Sequence, residues 1–368
     1  MRVLISIVTW LAGGVYWLMK RFPTKHQVCF FSRQSNTVTV DFRRLEDELK
    51  RRDPTVKTVM ICHQFRNIHD GAVSFAWDML RSMYYMATSR VCIIDAYWPT
   101  VSLLKHKEEL TVIQIWHSIG KIKKSGYQTL GNKSGRNAEL ARAVRMHRNY
   151  DYVIAGGKAW NPYYCASFDI TEDKLCNYGL PRLDEVLEGS EGAKELWEKY
   201  PELKGKTVVL YGPTYRKQVL PPPYELTSLF DPEKYAVICR FHPNQRFTCE
   251  LEGEMARYSE GETFDFLQIC DYFITDYSSL ALEAAAMGKK TLYYLFDYER
   301  YKSENGLNID LFDVMPRVTS QKAEEIYAMI DGNAYPEEEL ARYRQQFLPE
   351  ELGKSTEKVV DLIEENLN

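Results

Sequence analysis

The chain has 368 residues, 45% hydrophobic and 27% charged, with a formal net charge of −4. That length exceeds one ordinary core and suits two domains, while the lack of a basic excess excludes bulk nucleic-acid binding, since a polyanion partner wants a surplus of cations. Eight cysteines, none in a C-x-x-C pair, sit mostly in apolar runs, so they read as reduced, core-filling thiols of a reducing compartment rather than a disulfide framework or a zinc site.

In chain order, Val3 to Met19 carries no charge and Lys20-Arg21 follow. The stretch sits at the short limit for a membrane span and lacks the small-residue cleavage site of a signal peptide. Trp10, Tyr16 and Trp17 favour a membrane–water interface. Residues 1–22 thus have three readings: a helix in the membrane surface, a helix docked on the first domain, or a short span. Apolar runs then alternate with helical segments. Strands are predicted at 27–32, 58–62, 91–95, 111–116 and 152–155, with helices at 42–52, 72–87 and 136–148. A charged segment near 190–206 precedes a second set of strands at 207–211, 235–239, 272–275 and 291–294. Continuous apolar strands between helices predict parallel sheets covered on both faces. The fold class expected is α/β, two doubly wound Rossmann-like domains facing a central cleft, with ligand beyond the carboxyl ends of the strands. The expected domains are 23–187, 188–335, and 336–368 as helices returning to the first.

Five constellations lie at predicted strand ends. Asp276-Tyr277-Ser278-Ser279 closes a buried strand and opens a helix whose free N–H groups suit phosphate; an ordinary serine cap accounts for it equally. His117, in Trp116-His117-Ser118-Ile119-Gly120, is placed to act as a general base, with Lys121, Lys123 and Lys124 beyond it for phosphate or an anionic lipid head; a structural histidine capping a turn beside solvated lysines is the alternative. His242 precedes Pro243, which fixes a turn, and is suited to donate to a diphosphate oxygen, or is a plain turn histidine. Thr214 and Arg216 follow another strand and suit an anion. Asp297 stands beside aromatics and is suited to a hydroxyl of a transferred group, or to plain solvation. No P-loop, G-x-G-x-x-G, H-E-x-x-H or D-x-D motif is present, so no metal and no cofactor is expected.

At these residues the sequence resembles the CDP-glycerol glycerophosphotransferase family of teichoic-acid enzymes. The resemblance rests on Trp116-His117, Pro213-Thr214-Tyr215-Arg216, His242-Pro243, Thr275-Asp276-Tyr277-Ser278-Ser279, Asp297 to Tyr301 and Asn305-Gly306-Leu307-Asn308, in the family's order, across roughly residues 110 to 315. It implies a GT-B-like fold, a CDP-glycerol or related CDP-polyol donor, and a lipid-linked glycan acceptor at the cytoplasmic face of the membrane. It also implies His117 as base, His242 as a diphosphate contact, and Ser278 and Ser279 as phosphate contacts near the CDP. Ser118-Ile119 departs from the family's usual Gly-Thr, which leaves the transferred group and the acceptor open. Further readings are a CDP-ribitol-dependent transferase, a sugar-nucleotide glycosyltransferase, and a membrane-docked scaffold without activity.

Overall fold

A computed structural model describes residues 2–64, 71–132, 135, 137–242 and 244–367. The chain divides into two compact units, 1–184 with 349–368, and 185–348.

The first unit is built on β1 (Gln27–Ser32), β2 (Lys57–Cys62), β3 (Val91–Ile94), β4 (Thr111–Gln114), β5 (Tyr152–Ile154) and β6 (Leu175–Cys176). They form one sheet in the order β2-β1-β3-β4-β5-β6, parallel at every pairing. Every residue of β1 and β3 is buried, as a central parallel strand covered on both faces requires. Helix α1 (Arg2–Met19) packs on α3 (Ala72–Thr88). Tyr16 anchors it, 1% exposed, with its hydroxyl 2.9 Å from His106 Nδ1. Among the described residues no helix is long and apolar enough to cross a membrane. Helix α2 (Val40–Arg52) begins where Thr39 caps it and buries Phe42, Leu45 and Leu49. Arg52 ties its last turn to Asp361 and Glu364 of the helix Ser355–Glu365.

The second unit carries β7 (Thr207–Tyr211), β8 (Tyr235–Cys239), β9 (Tyr272–Thr275), β10 (Lys290–Tyr294) and β11 (Thr319–Ser320), in the order β11-β10-β9-β7-β8. All pairings are again parallel. Val208, Leu210, Ala236, Ile238 and Phe273 of the strands, with Leu196, Phe266 and Leu267 of flanking helices, form one core. The helix Glu337–Phe347 packs on the helix Leu280–Ala286 within this unit, and Arg344 bonds the Ala286 carbonyl. Of the chain's last two helices, one therefore belongs to each unit.

Two short edge strands, β6 and β11, have no sequence pattern of their own. The helix expected at 136–148 is shorter, Ala138–Ala143. Arg145, His147 and Asn149 follow it with positive φ, a conformation that ends right-handed helix; Arg136 lies outside the described residues. All eight cysteines are free thiols, with Cys29, Cys92, Cys239 and Cys270 buried.

Candidate functional site

Both sheets reverse winding direction once. In the first, β1 and β3 are neighbours and the chain leaves them in opposite directions; in the second, β7 and β9 are. The carboxyl ends at such a switch point form the crevice where open α/β sheets hold ligands. The candidate residues gather at these two edges.

At the first edge, Ser32 ends β1 and Asp95 follows β3. Ser32 Oγ donates to Asp95 Oδ2 at 2.5 Å and the Arg33 amide to Oδ1 at 3.1 Å. Asp95 is 3% exposed. Burial, opposed by these two donors and aided by the Asp41 charge, pushes its carboxyl up to about 6. Asp41 is itself held by Arg182, through the Arg182 amide at 2.8 Å and Nε at 2.8 Å.

His117, beyond β4, donates its Nδ1–H to the Asp95 backbone carbonyl at 3.2 Å. That bond selects one neutral tautomer and leaves Nε2 as the acceptor, the form a general base needs. Burial drives the imidazole pKa down to about 3, and the nearby charges of Lys121, Arg182 and Lys123 add to the shift. The preceding Trp116 has φ of 60°, an uncommon backbone state for a bulky residue. Its ring lies 4.2 Å from the His117 ring, and its amide donates to Gln114 Oε1 at 2.8 Å. Gly156, after β5, allows the loop to sit this low, because a Cβ there would fall 2.1 Å from the Ile119 carbonyl oxygen.

Lys121 does not present a surface cation. It is 3% exposed, and its Nζ lies 4.3, 4.7 and 4.1 Å from the ring centres of Trp116, Tyr164 and Phe168 and donates to Ser125 Oγ at 3.3 Å. Burial lowers its pKa well below the usual lysine range. Ser118 is likewise turned inward, its hydroxyl donating to the Gly120 carbonyl at 2.6 Å.

At the second edge, Arg216 sits between two carboxylates. Nη2 meets Asp276 Oδ2 at 2.8 Å, and Nε and Nη2 meet Asp297 at 2.8 and 2.9 Å; Nη1 donates to the Thr214 carbonyl at 2.7 Å. Burial works against the guanidinium charge, and the two carboxylates overcome it and raise its pKa. The spacing of Asp297 and Tyr301 is a helical i,i+4 pair at the start of the helix Tyr298–Glu304. The carboxylate grips the guanidinium while the Tyr301 ring lies 4.4 Å from it and stacks on Tyr277 at 4.1 Å. Asp276 Oδ1 also accepts from the amides of Thr214 and Tyr277 at 2.8 and 2.6 Å. Arg216, Asp276 and Asp297 thus form a strut that locks three strand-end loops together.

Ser278 and Ser279 stand at the rim of this strut, both partly exposed. Ser278 Oγ accepts from the Leu280 amide at 3.3 Å, and Ser279 makes no side-chain capping bond. Thr214 and His242 line an adjoining cavity of about 330 Å³ whose other walls are mainly proline and aromatic side chains. The Thr214 hydroxyl is buried without a hydrogen-bond partner. His242 Nδ1 accepts from the Asn244 amide at 3.1 Å and its ring lies 4.9 Å from Tyr215; Pro243 lies outside the described residues. Among the described residues no three His, Cys, Asp or Glu side chains gather as metal ligands.

Sequence reasoning missed Asp95 and the apolar cavity. Asp95 is visible as a strand-end acid, but its meeting with Ser32 and His117 depends on strand order.

Two doubly wound parallel sheets with polar groups at both switch points define an α/β protein whose ligand crevices lie at the carboxyl ends of its strands. Comparison with known proteins narrows this. The family model of CDP-glycerol:poly(glycerophosphate) glycerophosphotransferase matches residues 15–365, and the chain belongs to that family, transferases of teichoic-acid polyol phosphate. It is 27% identical over 380 residues to a teichoic acid ribitol-phosphate primase of Bacillus spizizenii, covering 98% of this chain and 97% of that one. It is 24% identical over 300 residues to a teichoic acid glycerol-phosphate primase of the same organism, covering 78% and 77%. The solved structure of a histidine variant of the wall teichoic acid polymerase TagF, soaked with CDPG, superposes with a TM-score of 0.67 at 16% identity, over 98% of this chain and 94% of that one.

Proposed function

We propose that the protein transfers glycerol phosphate from CDP-glycerol to a hydroxyl of a polyprenyl-diphosphate-linked glycan or teichoic-acid-type chain, releasing CMP. The observation that carries this reading is His117, held by the Asp95 carbonyl in the tautomer that accepts at Nε2. His117 takes the proton of the acceptor hydroxyl as its oxygen attacks the phosphorus bearing glycerol. The bond from that phosphorus to the bridging oxygen breaks, and CMP leaves with the electron pair. An imidazole depressed to about 3 is a weak base, and phosphate anions brought beside it raise its pKa toward the working range. In the second unit His242, Thr214, Ser278 and Ser279 contact the donor phosphates, while the Arg216 strut holds their loops in place. A transition state for phosphoryl transfer asks for such positioning and charge stabilisation more than for covalent chemistry.

His117→Ala is expected to lower CMP release from CDP-glycerol plus lipid-linked acceptor by about 100-fold or more. Full CMP release by a folded variant contradicts the assignment. CDP-ribitol is the second donor to assay, because the ribitol-phosphate primase matches this chain along nearly its whole length. Turnover of CDP-ribitol alone would change the polyol and leave the mechanism.

We further propose that the enzyme works at the cytoplasmic face of the membrane as a peripheral protein, where a lipid-linked acceptor would reach it. Exposed apolar side chains support this: Trp10 (76%), Trp17 and Leu18 on α1, and Val73 (85%) and Trp77 (62%) on the adjoining α3. Lys20 and Arg21 follow α1 and suit anionic headgroups. Exchanging Trp10, Trp17 and Trp77 together for Gln is expected to weaken binding to phosphatidylglycerol vesicles by about 10-fold or more, measured by co-sedimentation. Unchanged sedimentation removes this face as the anchor.

A further inference from the structure

The cavity beside the Arg216 strut is chemically uneven. Tyr211, Phe241, Phe247 and Phe296 give it aromatic walls, and Pro221, Pro222 and Pro223 form a further wall. The Tyr211 and Phe247 rings each meet Phe241 edge to face, at 6.0 and 4.8 Å, so the slot is stiff. The loop from Leu220 is held over it by paired backbone bonds, Leu220 N to Arg246 O at 3.1 Å and Thr248 N to Leu220 O at 2.9 Å. Its volume of about 330 Å³ lies at the lower end of small-ligand sites, roughly 300–1,000 Å³.

Polar groups break the apolar lining at several places, Gln245 and Tyr294 among them. Thr214, whose buried hydroxyl has no hydrogen-bond partner, and His242 stand on the loops that follow β7 and β8. Glu225, an exposed residue on the short helix Tyr224–Thr227, brings the only carboxylate among the described lining residues and stands at the cavity's solvent edge. A flat, stiff aromatic slot suits a planar ring. A carboxylate at its edge repels a diphosphate and any ring edge that presents an oxygen, and accepts from an edge that presents an amine. The ligand's anionic end therefore belongs on the Thr214–His242 side and a hydrogen-bond-donating ring edge on the Glu225 side.

We infer that this cavity seats the pyrimidine ring of the donor nucleotide, and that Glu225 selects cytosine over uracil by accepting a hydrogen bond from the exocyclic amine. Cytosine presents an N4 amine where uracil presents the O4 acceptor, and Glu accepting from cytosine N4 is an established base-reading pair. With uracil, two acceptors would face each other. Tyr294 stands on the same wall, and burial together with the Glu225 charge pushes its hydroxyl up to about 12, so it stays protonated beside the carboxylate. The inference rests on the donor reading above and adds the residue that reads the base.

The test is calorimetric titration of CMP and of UMP into the full-length protein, its Glu225→Ala variant and its Glu225→Gln variant, with no turnover required. Wild type is expected to bind CMP at least about 10-fold more tightly than UMP. Glu225→Ala is expected to bring the two affinities close together, chiefly by weakening CMP. Glu225→Gln, whose amide donates to O4 as well as accepting from N4, is expected to improve UMP binding. Unchanged discrimination in a folded Glu225→Ala protein overturns the assignment of Glu225 while leaving the donor reading intact. Wild type that prefers UMP, or that binds neither nucleotide, overturns the donor reading and this inference with it.

Discussion

The two units share one strand order at their switch points and fill them with opposite chemistry. In the first, Asp95 meets a hydroxyl and a backbone amide, and a histidine is pinned to its carbonyl. Desolvation outweighs what these partners return, and the pKa values move: the carboxyl to about 6 and the imidazole to about 3. In the second, Asp276 and Asp297 share one arginine, which pairs with both carboxylates at 2.8 Å. A strand-end aspartate has no fixed role; its partner decides. Groups without an opposite charge beside them are poised to exchange protons, whereas an arginine bonded to both carboxylates fixes loops. The contrast supports a division of labour in which the first edge handles the proton and the second holds the donor.

The largest expected effect comes from breaking the compensation. Arg216→Met leaves the buried Asp276 carboxylate and the partly buried Asp297 carboxylate without their cation and is expected to destabilise the second unit by about 3–5 kcal/mol, read as the shift of a urea transition. Adding Asp276→Asn and Asp297→Asn is expected to recover much of that loss. A single Arg216→Met variant with wild-type stability breaks the comparison, because the strut would then hold nothing.

Asp95→Asn sharpens it from the other side, with a smaller and pH-dependent effect. An acid whose folded pKa is raised, from 3.8 to about 6, keeps a proton in the folded state that the unfolded chain gives up. Stability falls as pH rises through that window and stays reduced above it. Each tenfold change in proton affinity is worth about 1.4 kcal/mol, so the variant is expected to be more stable than wild type by up to about 3 kcal/mol at a pH of about 7.5 and little changed near a pH of about 4. Denaturant melts at the two pH values measure it. Equal gains at both values would show that the carboxyl is not under the strain described.

Much of this was legible in the chain because parallel strands buried on both faces write continuous apolar runs. Gln27–Ser32, Thr207–Tyr211, Tyr235–Cys239 and Tyr272–Thr275 fall where those runs lie. The strand-end motifs then mark the carboxyl edges. The runs do not carry strand order, so Ser32 and Asp95, far apart in sequence, gave no sign that they bond. Nor do they carry the partner of a charge. Arg216 and Lys121 read as cations for phosphate, yet one is consumed by two carboxylates and the other is enclosed by Trp116, Tyr164 and Phe168. The helix at 136–148 failed for a local reason, the positive φ at Arg145 and His147. Ser118, where the sequence departs from the family's usual glycine, turns its hydroxyl back to the Gly120 carbonyl.

The division of labour is tested most directly by titrating CDP-glycerol calorimetrically into His117→Ala protein alongside wild type. If the first edge only moves the proton, the dissociation constant stays within about 3-fold of wild type, less than about 1 kcal/mol, while turnover with acceptor is lost. If His117→Ala instead loses donor binding in step with turnover, the base assignment fails and His117 belongs to the donor site.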